Sequence, residues 1–423
     1  IKNNENRLGK NLWTDAGAGE PIRVFEAATD LDEARWIVDE IQALMRDGHA
    51  RAEIALLYRS NAQSRVLEHA LFSAGLPYRV YGGLRFFERQ EIKHALAYLR
   101  LIANPDDDTS FSRVVNFPAR GIGARSLEVL QDAARAAGGS LFAAIPAMSG
   151  KAGTALGGFA QRLEQMKAMA HLPLPELVDH VLDLSGLREH YQAEKEGQDR
   201  LANLDELINA AANFVAEEGT VGEAGELSAD LIAFLAHASL EAGEHQAGES
   251  EDALQLMTTH AAKGLEFNVV FLSGLEEGLF PHENAILERD GLEEERRLMY
   301  VAVTRARRRL YLSFAQTRML HGQTRYALAS RFLDEIPAGL LKWLTPRAGR
   351  GQTAAESAPA YGLSRRRQDS GGWRIGQNVV HAKFGQGVIV NAEGSGQDAR
   401  VQVNFGSAGM KWLALSVAKL EPA

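Results

Sequence analysis

The chain contains no cysteine, which excludes disulfides, thiol nucleophiles and thiolate metal sites. It has no apolar run near the roughly 20 residues that a membrane helix needs, and no amino-terminal segment with the charged-then-apolar order of a secretory signal. A cytosolic setting follows. Nor is there a surplus of basic residues: 46 Lys and Arg against 55 Asp and Glu leave a formal charge of −9. A chain of that sign cannot grip nucleic acid through its overall field, so any DNA contact must come from local basic patches and specific hydrogen bonds. The chain opens without methionine in a polar stretch, Lys2-Asn3-Asn4-Glu5-Asn6-Arg7, and reads as a longer protein cut in its middle. What it does have is length, since 423 residues suit two to four domains of roughly 100 to 200 residues each.

The β-branched runs Ile22–Phe25 and Ile54–Tyr58 flank a stretch with apolar residues at Ala34, Ile37, Val38, Ile41, Leu44 and Met45, the period of a helix that buries one face. Strand, helix, strand implies a parallel sheet. That helix should start at Thr29 or Asp30, with Asp32 and Glu33 near its positive end, and stop at Gly48. Ser60-Asn61-Ala62-Gln63 has the spacing of a capping box. Arg59 and Asn61 therefore sit where a strand's carboxyl end meets a helix amino end, the edge at which open α/β sheets bind ligands. From residue 108 to 252 the strand signal vanishes into Ala- and Leu-rich amphipathic helix, as in 125–137, 156–170, 174–184 and 200–217. It returns at Leu254–Thr258, Asn268–Leu272 and Leu310–Phe314, the pattern of one α/β domain interrupted by a helical insertion. Residues 346–371 have linker composition, including Arg365-Arg366-Arg367. Beyond them, short strands broken by glycines predict a small β-barrel.

Thr258-Thr259-His260-Ala261-Ala262-Lys263-Gly264-Leu265-Glu266 lies between two predicted strands, so its polar side chains should gather at the ligand edge. Taken singly, His260 and Glu266 are ordinary loop residues; their clustering singles them out. Glu293–Ala306 should form a helix leading into the last strand, with Leu298, Val301, Ala302 and Arg305 on one face. An arginine held at the border of a packed face suits phosphate, because its planar fork stays charged and can bind oxygens in pairs. In the helical region, Arg120-Gly121-Ile122-Gly123 and Arg125 precede a helix starting near Ser126. Bare backbone amides at that helix end could take a phosphate of duplex DNA, although a G-x-G alone is more often a tight turn. Glu223, Glu226, Glu241, Glu244, Glu249 and Glu251 read as a solvated acidic face or hinge, not a site.

The segments Ala55–Arg65, Thr258–Glu266 followed by Gly278–His282, and Glu293–Ala306 occur in one order and resemble late motifs of the UvrD, PcrA and Rep helicases of superfamily 1. The resemblance covers essentially the whole chain. It implies a fold of class α/β: a RecA-like, P-loop NTPase-like parallel-sheet motor domain over 1–107 and 253–345, interrupted by an all-helical insertion at 108–252 that contacts duplex DNA. A flexible linker at 346–371 and a Tudor-like module at 372–423 would follow. The implied activity is ATP-dependent, 3′ to 5′ DNA unwinding in repair, including nucleotide excision repair, in a nucleoid-associated bacterial protein of one or two copies.

Carried over by position, Arg305 resembles the finger that reaches the γ-phosphate of ATP, which is bound with Mg²⁺. Glu266 resembles the ribose contact, with Lys263 and Gly264 on the same edge. Arg59, Asn61 and His260 resemble residues facing single-stranded DNA. Val379–Ile389 resembles the Tudor-like repeat, associated in relatives with RNA polymerase and similar protein partners, with His381 structural and Phe384 and Phe405 in its core.

No Gly-x-x-x-x-Gly-Lys-Ser/Thr is present, and Gly150-Lys151 lacks both the earlier glycine and the following hydroxyl. In the resembled family that loop and the acidic magnesium motif belong to a first motor domain that would lie before Ile1. The expectation is therefore no ATPase activity from this chain alone, and no metal site of its own. Two other readings are a non-catalytic DNA- or polymerase-binding adaptor and a helicase–nuclease subunit of the RecB or AddA kind. The second is disfavoured because no nuclease-like carboxylate and lysine cluster follows the motor.

Overall fold

The structure, a computed structural model, describes residues 4, 17, 19–195, 197–218, 229–243, 251–320, 322–345, 377–393, 400–405, 410–415, 418 and 420–422. The expected linker, its arginine run, and Glu223, Glu226, Glu244 and Glu249 lie outside these residues. Two compact units emerge: residues 1–59, 258–318 and 324–423, and residues 60–257 with 319–323.

In chain order the elements are β1 (Ile22–Thr29), α1 (Asp30–Arg46), β2 (Ile54–Tyr58), α2 (Ser64–Ser73), β3 (Tyr78–Val80), α3 (Gln90–Ala103), α4 (Asp108–Val114) and α5 (Ala124–Ala137). There follow α6 (Gly150–Ala168), α7 (Leu174–Leu184), α8 (Leu187–Gln192), α9 (Gly197–Glu218), α10 (Ala229–Gly243), β4 (Leu254–Thr258) and β5 (Phe267–Leu272). The chain continues through α11 (Glu283–Leu287), α12 (Gly291–Val303), β6 (Ala306–Leu320), β7 (Gln323–Tyr326), α13 (Arg331–Asp334) and β8 (Leu341–Trp343). It ends in β9 (Asn378–His381), β10 (Gly385–Glu393), β11 (Arg400–Asn404), β12 (Met410–Ala414) and β13 (Leu420–Pro422).

In the first unit β2, β5, β6, β1 and β8 lie side by side in that order, and each of these pairs is parallel. Parallel strands are covered on both faces and need not alternate. All five residues of β2 are accordingly buried. Helix α1 is set by its ends. The Thr29 hydroxyl accepts the Asp32 amide at 3.1 Å, and Gly48, at φ +93°, turns the chain away. One ionic cluster lies inside this unit: Arg318 donates to Glu33 at 2.8 Å and to Glu276 at 2.6 and 2.9 Å. Burial disfavours the Arg318 charge, but Glu276 and Glu33 outweigh it and hold the guanidinium protonated.

The second unit is helical apart from the short parallel pair β3–β4. Its core runs from Phe86 to Ala238, and α3 contributes Ile92, Leu96, Leu99 and Ile102 to it. For that reason residues 60–107 group with the helices, whereas the sequence placed the start of the insertion at 108. The terminal strands form a five-stranded antiparallel sheet, β12-β11-β10-β9-β13. Val379, Ile389, Val401, Val403 and Phe405 fill its small core. His381 stacks on Phe384 at 4.7 Å and accepts the Lys383 amide at 3.2 Å, the structural role expected of it. Among the described residues no helix is long and apolar enough to cross a membrane.

Candidate functional site

Because β2, β5 and β6 are parallel, each connection must return the full length of a strand before the next one starts. The segment 259–266 makes that return as successive tight turns, Ala262 N–H to Thr258 O at 3.1 Å and Leu265 N–H to Ala262 O at 3.1 Å, with Gly264 at φ +89°. Its first residues are pinned at the carboxyl edge, where the Thr259 amide donates to Tyr58 O at 2.8 Å. This sets His260 beside the chain at Arg59. Its last residues arrive at the amino edge, where the Phe267 amide donates to Arg305 O at 2.9 Å. The loop's polar residues therefore do not gather at one edge, as the sequence had suggested. His260 lies at one end of a strand length and Glu266 at the other, about 15–20 Å apart for a six-residue strand.

Helix α12 makes the same return. It ends at Val303, earlier than the sequence indicated, so Arg305 lies not on its packed face but in the turn between α12 and β6. Arg305 is half-buried, and its fork folds back onto three acceptors: Val301 O at 3.0 Å, Thr304 Oγ1 at 3.0 Å and Leu265 O at 2.6 Å. The first two cap the helix's carboxyl end, where a cation is favoured. The third ties that helix end to the loop carrying Lys263, Gly264 and Glu266. Near the other end of α12, Arg59 grips Glu295 with Nε at 3.0 Å to both carboxylate oxygens and Nη2 at 2.6 Å to one. Glu295 also accepts the His282 amide at 3.0 Å and is buried. Loop and helix thus run between the same two edges; they are tied to each other at the amino edge, and at the carboxyl edge each is tied to the end of β2, the loop through Tyr58 O and the helix through Arg59.

Sequence reasoning missed three residues here. Glu295 stood within a quoted motif without a role, although an acid ten residues before Arg305 on a helix is the signal that could have found it. Arg307 pairs with Glu266 at 3.1 Å; both are well exposed, so this pair is weak and exchangeable. Thr259 is buried and its hydroxyl has no hydrogen-bond partner among the described residues. Lys263, Gly264, His260 and Glu266 are all exposed.

In the second unit Asn61 opens a single 3₁₀ turn closed by the predicted capping box, and its carbonyl accepts Arg89 at 3.0 Å. The Arg120 segment differs from its expectation. The Arg120 guanidinium turns inward, donating to Val114 O at 3.0 Å, Pro118 O at 3.1 Å, the Tyr98 hydroxyl at 2.7 Å and Ser185 O at 2.9 Å. It also lies over the Phe159 ring at 5.5 Å. The amides of Arg120 and Ile122 are filled by the Asn116 carboxamide oxygen at 2.8 and 3.1 Å. Ile122 is buried, while Gly121, Gly123 and Arg125 are exposed. Helix α5 starts without a side-chain cap at Gly123, so Arg125 and the uncapped first turn are what remain open to a ligand. Glu241, expected on a solvated face, is buried.

Residues 1–317 match the UvrD-like helicase C-terminal domain. The chain belongs to that family. Residues 375–421 match the PcrA/UvrD tudor domain. Over its whole length the chain is 48% identical to DNA helicase II of Escherichia coli (strain K12) and 41% identical to ATP-dependent DNA helicase PcrA of Bacillus subtilis (strain 168). It spans 59% of the length of each. The family's RecA-like α/β architecture is the parallel sheet described above, and its tudor domain is the small antiparallel one.

Proposed function

We propose that the chain is the C-terminal part of an ATP-dependent 3′ to 5′ DNA helicase of the UvrD type, acting in DNA repair in the bacterial cytoplasm. Arg305 would neutralise charge developing on the γ-phosphate. Glu266 would contact the ribose, with Lys263 and Gly264 alongside. Arg59, Asn61 and His260 would face single-stranded DNA, and Arg125 with the open first turn of α5 would meet a duplex phosphate. Mg²⁺ would enter bound to ATP. Residues 372–423 are the candidate contact for RNA polymerase or repair proteins.

One observation carries this reading: the Arg305–Leu265 hydrogen bond at 2.6 Å and the Arg59–Glu295 pair at 2.6 Å close both ends of one frame. If Arg305 leaves Leu265 O for a phosphate, the side-chain tie between loop and helix at the amino edge is lost, and only the Phe267–Arg305 backbone bond and the exposed Glu266–Arg307 pair hold them there. His260 and Arg59 at the far edge then feel the nucleotide, which is the coupling a translocase needs. In the complete helicase, His260→Ala should leave ATP affinity nearly unchanged while weakening the stimulation of hydrolysis by single-stranded DNA; undiminished stimulation would remove the coupling. A non-catalytic adaptor is the second reading, favoured by the local capping role that Arg305 already fills for α12. It predicts that Arg305→Ala alters stability and that no turnover appears when a first motor domain is supplied.

A further inference from the structure

Helices α2, α9 and α10 of the second unit bring together two histidines and two glutamates. His69 Nδ1 lies 2.6 Å from Glu241 Oε1, and His237 Nε2 lies 3.4 Å from the same oxygen. The other nitrogen of His69, Nε2, lies 3.4 Å from Glu217 Oε2. The two imidazole rings are 5.4 Å apart, centroid to centroid. His237 and Glu241 are four residues apart on α10 and so share one face. Beside them is a cavity of about 20 Å³, more than the roughly 10–15 Å³ that one water needs. Asn213 lines it, is 6% exposed, and its carboxamide nitrogen has no hydrogen-bond partner among the described residues. Arg65 also lines it and is ion-paired to Glu206, leaving the Glu217 and Glu241 carboxylates opposite the two imidazoles.

We propose that this cluster is a divalent transition-metal site of zinc type, with His69 Nδ1, His237 Nε2 and the Glu241 carboxylate as ligands and a water near Asn213 in the fourth position. One ligand atom from each of the three residues already lies within 4.8 Å of the others. Bonds of roughly 2.0–2.1 Å in a tetrahedron set its edges at about 3.4 Å, so modest side-chain rotations assemble it. The short His69–Glu241 contact is a hydrogen bond that must open as the metal replaces its proton. Glu217 then holds the remaining His69 nitrogen, the carboxylate partner that fixes the tautomer and orientation of a metal-bound imidazole. Two carboxylates match the charge of a divalent cation, and nitrogen and oxygen donors without thiolate suit Zn²⁺. The ion would clamp α2 to α10 directly, reach α9 through Glu217, and leave the Arg305 frame untouched.

The test uses the full chain, stripped with a chelator and titrated with Zn²⁺ by calorimetry, and with Co²⁺ as the spectroscopic probe. The expected result is one equivalent bound, a visible ligand-field band with Co²⁺, and a higher thermal midpoint. His237→Ala and His69→Gln should each weaken Zn²⁺ binding by about a hundredfold or more, and Glu217→Gln by about tenfold. His171→Ala, at an exposed histidine that contacts the Ala168 carbonyl, should change nothing. If His69→Gln unfolds the helices, the metal-free circular dichroism will show it, and His237→Ala then decides alone. No saturable one-to-one binding, or binding and a Co²⁺ band that survive His237→Ala, would overturn the site.

Discussion

The arginines at the two candidate contact sites, one in each unit, are used in opposite ways. In the first, Arg59, Arg305 and Arg307 tie separate segments together at the ends of parallel strands, each through few contacts and partly in solvent. In the second, Arg120 is wrapped by carbonyls and a hydroxyl of its own neighbourhood and stacked against an aromatic ring. The type of residue is the same. What differs is whether its acceptors can be exchanged for a ligand at little cost. Arg305 keeps two carbonyls and a hydroxyl that phosphate oxygens could replace, whereas freeing Arg120 would strand several buried acceptors.

The comparison can be broken in four places. The largest effect belongs to Arg305→Ala in the complete helicase, where DNA-stimulated turnover should fall about a thousandfold or more; a loss under tenfold would make Arg305 a local staple like Arg120. Next is Arg318→Ala, which leaves Glu33 and Glu276 buried without their cation and should destabilise the first unit by about 3–5 kcal/mol in denaturant unfolding. Arg120→Ala should then cost the second unit about 2–3 kcal/mol and leave the salt dependence of duplex binding unchanged. Arg125→Ala should do the reverse, with stability within about 0.5 kcal/mol and the salt slope lowered by about one. If the two results are exchanged, the inward reading of Arg120 is wrong.

The smallest effect is a pH dependence. Burial, with the charges of Arg113, His190 and Arg200, pulls the His94 imidazole down to about 4. The unfolded chain binds that proton near pH 6.5 and the folded one does not. This site therefore leaves stability unchanged above pH 6.5, erodes it as pH falls from 6.5 to 4, and levels off below. The loss should be about 1–2 kcal/mol after allowance for screening, and His94→Gln should flatten it.

Much of this was legible in the sequence. Strands β2 and β4 and helix α7 lie where the hydrophobic pattern puts them, because burial on both faces and on one face leave different patterns. The Ser60–Gln63 capping box is local chemistry and was read directly, and the start of α1 was narrowed to Thr29 or Asp30, of which Thr29 is the cap. Three things depended on tertiary neighbours and were not. The separation of His260 from Glu266 follows from strand direction, which no window of residues encodes. The inward turn of Arg120 depends on Ser185, 65 residues away. Glu241 looked like one more acid in an acidic stretch, and only the packing of α2 against α10 gives it His69.

The most direct test of the central claim is ATP hydrolysis by this chain mixed with a separately produced first motor domain of the same family, with and without single-stranded DNA. Turnover should appear only in the mixture, rise with DNA and be abolished by Arg305→Ala. A mixture that stays inactive while the chain is folded and binds duplex DNA would contradict that claim.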